Sequence, residues 1–186
     1  MSIIVDDKKR IAKETNVRNR WKDIRSEREE LTKFLSGEKD IGNGTNARDL
    51  VLCYQCISLI LEHISVYEQD IKKAPDKIEG IDPTPSKIEQ LYGESAREVF
   101  CLFVSDNEKM PIDQRLKAVE QIRLVAWKQI LKEKQNLTSM VDETTNFQDL
   151  EEQELLLRCV SITILEMDMQ DQEIKILEKL YNNPDK

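Results

Sequence analysis

Cys53 and Cys56 form the closest cysteine pair in the chain, in the C-x-x-C spacing used for thiol redox chemistry. Such chemistry needs the pair at a helix start, where the helix dipole lowers a thiol pKa. Here the pair begins seven residues past Asn46, inside the apolar run Leu52-Cys53-Tyr54-Gln55-Cys56-Ile57. That context predicts buried, reduced thiols. A zinc site needs two more ligands. Cys101, Cys159 and the single histidine, His63, stand at no spacing that brings them together. His63 lies off the Ile57, Leu61, Ile64 seam, which predicts a boundary position. Di-iron bundles require Glu-x-x-His on paired helices, and that pattern does not occur. No nucleophile elbow is present. The stretch Gly37-Glu38-Lys39-Asp40-Ile41-Gly42-Asn43-Gly44 lacks the Gly-Lys-Ser/Thr end of a phosphate loop. The expectation is a chain with no catalytic residue, no cofactor and no metal.

These residues must be positioned by a chain of 186 residues, enough for one domain. Hydrophobic residues make up 39% and charged residues 34%, which supports a core and argues against a membrane protein. No segment is expected to span a membrane. The start, Met1-Ser2-Ile3-Ile4-Val5-Asp6-Asp7, does not read as a secretory signal. With cysteines read as reduced, the expected location is cytoplasmic or nuclear.

Glycine and proline punctuate the chain at 37–44, at 75–85 and at Pro111. Period-two strand patterns are missing, so an all-α chain follows. Helix A is expected over about 7–35, with Val17, Trp21, Ile24, Leu31 and Leu35 on one seam interrupted by Arg28. Helix B is expected over 47–73, capped by Asn46 and ended by Pro75, with 50–64 the most buried stretch. Helix C is expected over 87–104, helix D from Pro111 to about 134 or 141, and helix E over 147–181.

Two parts of the chain resemble each other. Trp21-Lys22-Asp23-Ile24 matches Trp127-Lys128-Gln129-Ile130, and Leu31-Thr32 matches Leu137-Thr138, at an offset of 106. Thr45-Asn46 and Asp49-Leu50 match Thr145-Asn146 and Asp149-Leu150 at an offset of 100. Cys56-Ile57-Ser58 matches Cys159-Val160-Ser161 at an offset of 103. The expected architecture is a single domain over 1–186, a five-helix bundle built from two duplicated long helical hairpins plus one intervening helix. The repeats cover about 7–73 and 111–181, with a linker and helix over 74–105 between them. A lone hairpin cannot bury its apolar face, so the two must stack.

Charge is uneven. Residues 1–35 carry ten basic and seven acidic side chains, and residues 142–186 carry four and twelve. Arg18, Arg20, Lys22 and Arg25 are the candidate basic face, which would suit a polyanion if it stood free. Interleaved acids and the net charge of −8 favour pairing with acidic helix E instead, so nucleic acid is a disfavoured partner. Helix E overhangs helix B, which leaves Ile174, Leu177, Leu180 and Tyr181 as the candidate partner-binding strip. A basic amphipathic helix or a second copy of the chain would fit it. The reading is a non-catalytic protein–protein interaction module, a scaffold or adaptor subunit. Two alternatives are a small helical enzyme or ligand-binding bundle, and a nucleic-acid-associated adaptor using the basic first helix.

Overall fold

The structure, a computed structural model, describes residues 2–42, 46–74, 111–142 and 147–182. Six helices occur among them: α1 Ser2–Arg25, α2 Arg28–Leu35, α3 Ala47–Lys73, α4 Ile112–Lys132, α5 Lys134–Asp142 and α6 Leu150–Asn182. The five-helix expectation is therefore incorrect. Helices A and D are each broken in two, and helix C, Cys101 and nearly all of the 74–86 linker lie outside the described residues.

The breaks carry no glycine or proline. At the first, Glu27 adopts φ −99°, ψ 13°, and its N–H bonds back to Ile24 O at 2.9 Å. Ser26 Oγ also donates to Asp23 O at 2.6 Å. At the second, Glu133 adopts φ −93°, ψ 6°, and its N–H bonds to Ile130 O at 2.9 Å. A tight i−3 bond replaces the i−4 bond and turns the helix axis. Each helix then restarts identically, with Leu31 N bonded to Glu27 O at 3.1 Å and Leu137 N bonded to Glu133 O at 2.9 Å. Every residue in this second turn lies 106 positions after its counterpart in the first.

The bend has a packing consequence. Helix α1 packs on α3 and α4 on α6, as in two antiparallel hairpins. After its bend, α2 leans on α6 and α5 leans on α3. Polar pairs hold both crossings. Arg28 of α2 bonds Asp171 of α6 at 2.9 Å, and Lys134 of α5 bonds Glu68 of α3 at 3.0 Å. Arg28 and Lys134 are 106 apart, and Glu68 and Asp171 are 103 apart.

Local signals fix the helix ends. Gly37, at φ +72°, takes the left-handed position after α2 that a side chain would resist. Asn46 caps α3 by accepting from Asp49 N at 3.0 Å. Helix α6 is capped by Asp149, which accepts from Glu151 N at 2.9 Å. The two caps are 103 residues apart, whereas the sequence matches beside them lie at an offset of 100.

The core runs the length of both hairpins. Its most buried stretch is in α6, where every residue from 159 to 167 is buried, and not in 50–64 as expected. That helix touches α2, α3 and α4, so it has no solvent face along its middle. Met167 and Met169, both 0% exposed, are core residues and unavailable to a partner. Helix α3 is the most apolar of the described helices by composition. It is long enough, with a mean hydropathy of 1.5 over 18 residues, to pass for a membrane-crossing helix. In the fold Leu52, Ile57, Ile60 and Ile64 are all buried in the shared core.

Candidate interaction surfaces

The candidate partner strip lies on the last turns of α6. Ile174 and Leu177 are exposed, at 49% and 43%, while Ile176 between them is buried. Lys175 and Glu178 flank them and are also exposed. The side chains of Leu180 and Tyr181 lie outside the described residues. The structure therefore presents two of the four expected apolar residues side by side on one helix face.

The candidate basic face is divided. Arg18 and Lys22 are exposed. Arg20 turns to α3 and bonds Glu62, which also accepts from Asn16 at 3.4 Å. Arg25 turns to α6, where it bonds Asp171 and donates to Gln170 Oε1 at 2.8 Å. Arg28, beyond the bend, bonds Asp168 and Asp171. Arg25 and Arg28 are thus engaged by the acidic carboxyl-terminal helix, while Arg20 pairs with α3 and Arg18 stays exposed. Such pairs orient elements more than they stabilise them.

His63 was expected at a boundary and is buried, 8% exposed. Its Nδ1 accepts from Trp21 Nε1–H at 3.2 Å. Trp127, 106 residues after Trp21, meets the imidazole edge-on from the other side at 90°. Tyr67 packs beside both, with ring centroids 5.0 Å from His63 and 6.4 Å from Trp127. A single seam on α3 could not show this position, because α3 is packed against α1 on one side and α4 on another. Burial, aided by the nearby Arg123 guanidinium, lowers the His63 pKa to about 2. The ring is a neutral acceptor between two indoles.

A second ionisable group went unnoticed in the sequence. Glu166, 3% exposed, accepts from Arg123 Nε at 2.8 Å, and Arg123 also meets Glu173 at 3.1 Å. Gln170 Nε2 donates to the other Glu166 oxygen at 3.4 Å. Burial raises the Glu166 pKa to about 7 against the pull of Arg123. Glu166 stands 103 residues after His63, and both side chains are buried. A buried acid near neutrality is a property that catalytic sites exploit. Here its oxygens are occupied by Arg123 and Gln170, which suits a structural ion pair.

The cysteines of the core are closed off. Cys53, Cys56 and Cys159 are each 0% exposed. Burial pushes Cys53 and Cys159 up to about 12 and raises Cys56 as well. None of the three is in a disulfide. Among the described residues, no group of three or more His, Cys, Asp or Glu side chains is placed to hold a metal ion.

The chain matches no protein-family model, no curated protein sequence and no solved structure.

Proposed function

We propose that this chain is a non-catalytic helical module that binds protein, serving as a scaffold or adaptor subunit, with the end of α6 as its contact face. The all-helical bundle supports the coarse part of this reading. The observation that carries the finer part is the exposure of Ile174 and Leu177 together, three residues apart on one helix face. A basic amphipathic helix or a second copy would bury both residues and meet Glu178 beside them. The matched bends, matched crossing pairs and equivalent indoles support two copies of one helical hairpin. Unpaired, buried thiols suit a reducing compartment, which supports a cytoplasmic or nuclear location. The nucleic-acid alternative loses support because Arg20, Arg25 and Arg28 are held in ion pairs.

Replacing Ile174 and Leu177 together by Glu tests the contact face. The expected result is retained helicity by circular dichroism with loss of association in sedimentation and pull-down. Loss of helicity would place both residues in the core. Intact folding with intact association would remove this face from the reading.

A further inference from the structure

The two hairpins differ most where their short helices meet the start of the long one. In the first hairpin that junction is filled by two cations of the chain itself. Lys39, from the longer connection, bonds Glu30 of α2 at 2.6 Å and Asp49 of α3 at 2.6 Å. Its ammonium also lies 5.3 Å from the centre of the Phe34 ring. Arg48 pairs with Glu27 at 3.3 Å. Asp49 is 4% exposed, so Lys39 neutralises a buried carboxylate.

At the offsets of 106 and 103, the cradle of Lys39 has a counterpart in Asn136, Met140 and Glu152. The Glu27–Arg48 pair has a counterpart in Glu133 and Glu151. All five line an open groove of about 610 Å³ between α5 and the start of α6. Two of the three acids of the pattern are kept, as Glu133 and Glu152, while Asn136 stands at the place of Glu30 and donates to Glu133 Oε2 at 2.8 Å, and the cationic half is replaced. Glu151 stands where Arg48 stands, so two carboxylates face a place that holds an ion pair in the first hairpin. The shorter second connection supplies no counterpart of Lys39. Arg158, the cation in the groove lining, bonds Glu154 at 2.5 Å. The floor is apolar, with Met140 and Leu155 5% and 9% exposed.

We propose that this groove docks a basic segment of a partner protein, one that supplies two cationic side chains in place of the missing Lys39 and Arg48. One cation sits between Asn136 and Glu152 over Met140, and the other between Glu133 and Glu151. The stem of the first lies on the apolar floor, as lysine stems do on apolar surface. The occupant's chemistry is read from the first hairpin, so the inference rests on the hairpin equivalence proposed above. It does not depend on the Ile174 face.

The probe is a fluorescein-labelled octapeptide of alternating lysine and alanine, titrated into the full chain and followed by anisotropy. Saturable one-to-one binding is expected, weakened about tenfold by a rise from low to physiological-plus salt. The double variant Glu133→Lys, Glu151→Lys is expected to lose binding with unchanged circular dichroism. The double variant Asp113→Lys, Glu120→Lys, an equal charge change at exposed positions of α4, is expected to keep it. Absent binding, or equal binding by the groove variant, would overturn the proposal. Self-association that disappears in the groove variant would seat a second copy there and overturn the partner-protein occupant. Lys39→Ala tests the equivalence separately, since it is expected to open a second peptide site at Glu30 and Asp49. One site before and after that change would refute the equivalence and leave the groove result standing on its own.

Discussion

Trp21 donates its indole N–H to His63 Nδ1 at 3.2 Å within the core, and this bond joins α1 to α3 at the level where Trp127 brings in α4. The bond leaves the imidazole proton on Nε2. Trp21→Phe keeps most of the buried area and strands the acceptor, so it should cost about 1–3 kcal/mol. Trp21→Ala adds a cavity and should cost about 3–5 kcal/mol. Urea unfolding followed by circular dichroism gives both values, and a loss near zero for Trp21→Phe would show that the hydrogen bond is unimportant.

His63 and Glu166 should oppose each other as pH changes. His63, lowered from 6.5 to about 2, contributes stability that is complete above pH 6.5 and is lost as pH falls. Glu166, raised from 4.5 to about 7, contributes stability that is present below pH 4.5 and is lost as pH rises through 7. Between pH 5 and 6.5 the two slopes differ in sign and largely cancel in the natural chain. Glu166→Gln should therefore lose stability on acidification, approaching about 1.4 kcal/mol per pH unit. His63→Gln should gain stability over the same interval. Denaturant midpoints at half-unit pH steps would check both, and parallel curves for the two variants would contradict the burial of either group.

The core thiols should be silent until the chain unfolds. In a Cys101→Ser background, Cys53, Cys56 and Cys159 should show no fast reaction with a disulfide reagent at pH 8, because burial holds all three well above that pH. All three should react once denaturant is added. Fast native labelling of Cys56 would mean that the α3–α6 contact opens readily.

The two crossing ion pairs should differ in strength. Arg28 bonds Asp171 and also Asp168, whose carboxylate is 13% exposed. Arg28→Met should cost about 2 kcal/mol, since it leaves that carboxylate unpaired. Lys134 and Glu68 are 40% and 30% exposed, so Lys134→Met should cost under about 1 kcal/mol. A larger loss at Lys134 would reverse the assignment of which crossing is the better buried.

Much of the helical plan is legible in local chemistry. Asn46 caps α3 as its residue type suggests, and both indoles, Trp21 and Trp127, meet His63 in the core. The bends at Glu27 and Glu133 are illegible because nothing local forces them. They arise from the pull of α2 toward α6 and of α5 toward α3, which is tertiary. His63 and Glu166 are hidden for a related reason. A polar residue on a helix packed from several sides sits where a one-seam reading expects solvent. The exposure of Ile174 and Leu177 agrees with their place near the end of a long helix, whereas the burial of Met167 and Met169 depends on α6 being central. The groove by Glu133 had no signal of its own, since its meaning comes from comparison with the place Lys39 fills.

The bends at Glu27 and Glu133 make the two halves a mutual clasp. Each half reaches across with its short helix and grips the long helix of the other, so neither can be withdrawn without uncovering both. Residues 1–74 alone would lack the cover that α5 lays on α3, and α2 would have nothing to lean on. Such a half is complete only when another half faces it, whether in the same chain or in a second one. Separately expressed halves should therefore be poorly structured alone and should fold together when mixed.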